Sequence, residues 1–132
     1  MPRIFYFREG AMSTLIYTID GNQGRILEVY SDRCVITHSD KRAGDGAEFL
    51  FSEISAVKFR NLSFFMSGYI KFERRENRSD KLYSGENCFI FNAPVGSIYD
   101  RLVAQMPAVY DYLVKMVTEA SGDITAQEVT EL

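Results

Sequence analysis

Apolar residues recur at every second position, in short runs, as far as Asn92, and at every third or fourth position beyond it. This change of period leaves the chain few folds, because alternation belongs to half-buried strands and the longer spacing to one face of a helix. Strand candidates lie at 4–7, 13–19, 25–30, 33–38, 48–51, 54–60, 69–75 and 87–92, with a weaker one at 81–84. Turn chemistry at "REG", "DGNQG", "YSDR", "AGDG", "FRN" and "ENRSD" separates them, so sequence neighbours are expected to pair antiparallel as a meander.

One hairpin has a register that the sequence alone defines. With Ser31 and Asp32 at the tip, Val29 faces Cys34 and Leu27 faces Ile36, which gathers four apolar side chains on one face. Glu28, Tyr30, Arg33 and Thr37 then fall on the outer face. A four-residue tip over 30–33 gives the same pairing.

Past Asn92, Ser97 with Asp100 three residues on has the form of a capping box, and Ile98, Leu102, Met106, Val109, Leu113 and Met116 make a helical stripe. Pro107 falls inside it. Because proline removes a helical hydrogen bond and clashes with the preceding turn, a short helix over 98–105 and a main one over 107–119 are expected. The tail, 120–132, turns polar and acidic, and either one short helix capped by Thr125 or a frayed end fits it. A curled sheet with one helix plugging its open end is the economical packing for this order of elements.

The 132 residues suit a single domain, taken as 1–119 with 1–19 as an N-terminal strand extension. A formal charge of −3 and pI near 5.2 argue against nucleic acid as a partner, which demands excess Lys and Arg. Cys34 and Cys88 are far apart, without a CxxC pair, and His38 is the one histidine. Neither a metal nor another cofactor is expected, and the thiols read as reduced residues of a cytoplasmic protein. "MPRIFYFREG" lacks the apolar core of a leader, and no apolar run reaches the length of a membrane span.

"ISAVKF" (54–59), "GYIKF" (68–72) and "NCFIFN" (87–92), followed by an amphipathic helix and preceded by "GRILEVYSDRCVIT" (24–37), resemble the bacterial pleckstrin-homology-like (PH-like) families, of the domain-of-unknown-function type. The resemblance implies an α+β, mainly β fold: a bent antiparallel barrel of about seven strands capped by the C-terminal amphipathic helix, with no catalytic residue. Residues 1–19 and Pro107 depart from the pattern. "SGDITAQEVTEL" resembles part of the short bacterial C-terminal oligomerisation motif often found near such domains, without its lysine-rich end. Gly68 opens an apolar strand face with no side chain, which points to a bend or a close neighbour.

Three groups of residues are candidate sites. Arg74, Arg75, Arg78 and Lys81 cluster at the 72–81 tip and suit a phosphate, though Glu73, Glu76 and Asp80 nearly cancel them. Lys58, Arg60, Tyr69 and Lys71 form an outward basic and aromatic stripe if their strands are neighbours. Phe64, Phe65 and Met66 cannot all enter one core from extended chain, so they are the candidate interface; "CFIF" is likewise apolar on both strand faces. His38 reads as structural, and Asp40, Asp45 and Glu48 as turn residues rather than cation ligands. The expected function is a non-enzymatic binding or assembly module, self-associating or holding a protein partner through the 64–66 loop or a strand edge. The second reading is peripheral membrane or anionic-headgroup binding through a basic patch.

Overall fold

A computed structural model describes residues 4–6, 12–38, 47–75 and 87–128. The chain forms β1 (Ile4–Tyr6), β2 (Met12–Asp20), β3 (Arg25–Tyr30), β4 (Arg33–His38), β5 (Ala47–Leu50), β6 (Ile54–Arg60), β7 (Gly68–Arg74), β8 (Cys88–Phe91), α1 (Ser97–Ser121) and β9 (Thr125–Glu128). The 81–84 strand candidate lies outside the described residues. The mainly β, α+β class expected from the period change is what forms.

The strands make a five-stranded sheet, β1-β2-β3-β4-β5, and a four-stranded sheet, β8-β7-β6-β9. Among the described residues no strand pairing joins the two sheets, so they do not close a barrel. They share one core instead. Leu27, Val29, Cys34, Ile36 and Phe49 from the first sheet meet Val57, Phe59, Ile70, Phe72, Phe89 and Phe91 from the second, with α1 contributing Leu102, Met106, Val109, Leu113 and Val117. The rings of Phe49 and Phe72, 5.3 Å apart, bridge the sheets.

The hairpin register is as the alternation predicts, with Val29 opposite Cys34 and Leu27 opposite Ile36. Its outer face is different: Tyr30 and Arg33 are buried rather than exposed, because β2 and β5 wall the tip on both sides. Phe51 also leaves the strand pattern, opening a 3-10 turn, Phe51–Glu53.

Gly68 has the tight environment that its missing side chain suggested. A Cβ there would run into the Phe91 ring and stand 2.8 Å from the Leu62 backbone nitrogen, so the Phe91 ring occupies the space.

The helix runs unbroken from Ser97 to Ser121 with Pro107 inside it, which corrects the expected division into two helices. The compensation comes from outside the helix. Pro107 cannot donate to the Val103 carbonyl four residues back, and the Asn61 side-chain amide donates to that carbonyl instead, at 3.1 Å. At the start, Gly96 holds the N-cap and Ser97 lies one position inside, so the Ser97–Asp100 capping box does not form. Ile98 is also off the buried stripe, at 55% exposure, while Tyr110 and Val117 are in it.

Over its described residues, 120–128, the tail forms neither a short helix nor a frayed segment. Ser121 Oγ sits 3.0 Å from the Phe51 carbonyl and 2.8 Å from the Ile54 carbonyl, tying the end of α1 to the start of β6. Gly122, at φ 87°, turns the chain, and β9 then runs parallel to β6, pairing Ala56 with Thr125 through Phe59 with Glu128. All four β9 residues are exposed, so backbone pairing rather than side-chain burial holds this strand.

Candidate interaction surface

The β6–β7 connection is a tight turn whose backbone is largely hydrogen-bonded within itself. Ser63 N donates to the Met66 carbonyl at 3.0 Å, and Ser63 Oγ accepts from Phe65 N and Met66 N at 3.4 and 3.2 Å. At one root Asn61 Oδ1 accepts from Leu62 N at 2.8 Å while its amide holds the helix carbonyl. At the other the Arg60 guanidinium donates twice to the Ser67 carbonyl, at 3.2 and 2.9 Å. A turn bonded this way keeps its shape without help from its apolar side chains.

Those side chains point outward. Phe64 is 72% and Phe65 89% exposed, with Met66 on the same tip. The β8–α1 connection brings further apolar surface beside them: Val95 is 68% exposed, and Phe64 stacks on Tyr99 with ring centroids 5.7 Å apart at 12°. Ser63, Phe64, Asn92, Ala93, Pro94, Val95 and Tyr99 line a cleft of about 520 Å³. The turn was legible as a candidate from three consecutive apolar residues. Val95 and Tyr99 were not, since they join the patch only through the packing of α1 beside the turn. A valine between Pro94 and Gly96, outside either period, was the available signal.

The basic stripe forms as expected but is largely engaged. Lys58 is opposite Lys71 and Arg60 opposite Tyr69 on β6 and β7. Lys58 pairs with Glu73 at 3.0 Å, and Arg60, besides holding Ser67, lies over the Tyr69 ring at 4.9 Å. Lys71 remains half-buried on the same face.

The arginine tip is divided. Arg74 bonds Glu53 at 2.9 Å and the Glu48 carbonyl at 3.0 Å, with its guanidinium 4.3 Å from the Phe49 ring centroid. Arg75 donates to the Ser121 carbonyl at 2.7 Å, where a cation complements the helix C-terminus. Arg78 and Lys81 lie outside the described residues, as do Asp40 and Asp45.

Polar chemistry concentrates at the β3–β4 tip. Arg33, 4% exposed, donates to both Asp32 carboxylate oxygens at 3.1 and 2.8 Å and to Glu48 at 2.5 Å. Buried Ser13 donates to Asp32 as well. Desolvation pushes the Asp32 pKa up, but the hydrogen bonds from Arg33 and Ser13 and the Arg33 charge together outweigh it, so the carboxyl lies below its usual range. The carboxylate bonds of Arg33, led by Asp32, raise its pKa. Burial likewise drives the Cys34 thiol far above the ordinary range, and Cys34 and Cys88 are not joined. Among the described residues no three His, Cys, Asp or Glu side chains converge as a metal site, and no helix is long and apolar enough to cross a membrane.

In comparisons with known proteins, no family model matches the chain, and neither does any curated protein sequence.

Proposed function

We propose that the chain is a non-enzymatic, PH-like assembly module of a bacterial cytoplasmic protein, and that it self-associates through the patch of Phe64, Phe65, Met66 and Val95. The observation that carries this reading is the mismatch between a turn with a hydrogen-bonded frame and the rings it presents to water. A frame of this kind lowers the ordering cost of association, while exposed apolar surface supplies its driving force. The PH-like reading is supported by the antiparallel order of β2 to β8 followed by a helix packed on β6. Anionic-ligand binding draws less support, because Lys58, Arg60, Arg74 and Arg75 already have partners within the fold.

Light scattering after size exclusion tests the proposal, on the full chain and on a Phe64→Ser, Phe65→Ser double variant. A mass that is a multiple of 15.1 kDa, reduced to the monomer by the substitutions, is the expected result. A monomer in both would refute it.

A further inference from the structure

Phe64 and Phe65 are adjacent in the turn but differently placed. Phe64 forms a wall of the cleft, stacked on Tyr99, whereas Phe65 stands beside the cleft, its ring 6.4 Å from that of Phe64 and turned by 71°. The same face therefore carries an aromatic knob and an open concavity of about 520 Å³, large enough to admit a phenyl ring.

We infer that two copies of this chain dock about a twofold axis here, each seating Phe65 in the other's cleft between Phe64, Val95 and Tyr99. The inference rests on the assembly reading above and adds its partner and geometry. A knob and a cleft on one face satisfy each other twice under a single twofold rotation, which closes the assembly as a dimer. At the usual 150–250 Å² per aromatic side chain, the exposed parts of Phe64 and Phe65 offer about 300 Å² of apolar surface, over a third of the ~800 Å² a standard interface takes from each partner. Val95 and Met66 extend it.

The charge next to Tyr99 in the chain is of mixed sign. Asp100 and Arg101 follow Tyr99 directly in the first turns of α1, and both are exposed. A mixed-sign neighbourhood suits a second copy of the same face better than a uniformly anionic surface, which would attract one charge and repel the other.

Complementation tests the geometry. Phe65→Ala removes the knob and leaves the cleft; Val95→Glu closes the cleft to an apolar ring and leaves the knob. Both positions are strongly exposed, and circular dichroism checks that each variant folds. The twofold model predicts a wild-type dimer, with each variant alone associating about 1,000-fold more weakly, from two lost contacts at about 30-fold each. An equimolar mixture of the variants keeps one knob in one open cleft and forms a heterodimer only about 30-fold weaker than wild type. Wild-type dimers that persist in both variants, or variants that fail to complement, overturn the knob-and-cleft geometry while leaving self-association intact. A wild-type monomer at every concentration overturns both. If that monomer sediments with phosphatidylcholine and phosphatidylserine vesicles and Phe65→Ala releases it, the patch belongs to a bilayer instead.

Discussion

Two connections between antiparallel strands, near opposite ends of α1, place their side chains in contrary ways. The β3–β4 tip lies beside Met116 and Glu119, and the β6–β7 turn lies against Tyr99, about 26 Å away along the helix axis at 1.5 Å per residue. The first buries a guanidinium; the second exposes two phenylalanine rings. Both have well-bonded backbones, since Ser31 N donates to Thr14 and Phe51 N to Asp32 at one, while Ser63, Asn61 and Arg60 hold the other. The difference lies in where the remaining interactions are directed. At the β3–β4 tip Arg33 bonds Asp32 and Glu48 of its own chain, so it locks β4 to β5. At the β6–β7 turn, among the described residues, the Phe64 and Phe65 rings stay largely exposed, which is the surface the proposed association would use.

The largest effect separating the two regions is expected at Arg33. Replacing it with Met should cost about 2–3 kcal/mol in urea unfolding, below the 3–5 kcal/mol of a fully buried broken pair because Asp32 and Glu48 are partly hydrated. Self-association at concentrations where the variant stays folded should not change. A loss of association in folded protein would erase the contrast between the two ends.

Gly68→Ala should come next, at about 1–3 kcal/mol, since the new methyl meets the Phe91 ring and the Leu62 backbone. Because that strain sits at the root of the turn, it should also weaken association. An unchanged unfolding midpoint would contradict the close packing described.

A double-mutant cycle of Asn61→Ala and Pro107→Ala tests how the turn is fixed to the helix. Asn61→Ala alone leaves the Val103 carbonyl without its donor and should cost about 1–2 kcal/mol. With Pro107→Ala the helix supplies its own amide to that carbonyl, so the same substitution should then cost about 1 kcal/mol less. Additive costs would remove Asn61 from this role.

This link shows why part of the fold was legible and part was not. The strands and the β3–β4 register follow from alternation, a local property that any flanking structure must respect. The continuity of α1 depends on an asparagine 42 positions from the carbonyl it serves, and no window around Pro107 contains it. The burial of Arg33 likewise requires Ser13 and Glu48, brought in by β2 and β5. β9 was illegible for another reason: "TAQE" buries nothing, so no apolar period marks it. Of the candidate patch, the three consecutive apolar residues at 64–66 were readable, whereas Val95 and Tyr99 belong to it only in three dimensions.

The smallest expected effect is with pH. Asp32 has a folded pKa below its unfolded value, so its contribution is present above the ordinary carboxyl range near pH 4 and is lost as pH falls through the lowered value. Tyr110 and Tyr112 have raised pKa values, chiefly from burial, so their contribution holds below pH 10 and declines as pH rises through the shifted values. Thermal melts across pH should show shoulders at both extremes, and Asp32→Asn should flatten the acid one. Acid sensitivity identical in Asp32→Asn would place its source elsewhere.

Hydroxyl-radical footprinting over a concentration series, read residue by residue by mass spectrometry, separates a turn that docks from one that is merely exposed. Labelling of Phe64, Phe65 and Met66 is expected to fall as protein concentration rises, while labelling of the buried Tyr30 and Phe51 beside the β3–β4 tip stays low and constant. Labelling of the 64–66 turn that is independent of concentration, in protein that remains folded throughout, would contradict it.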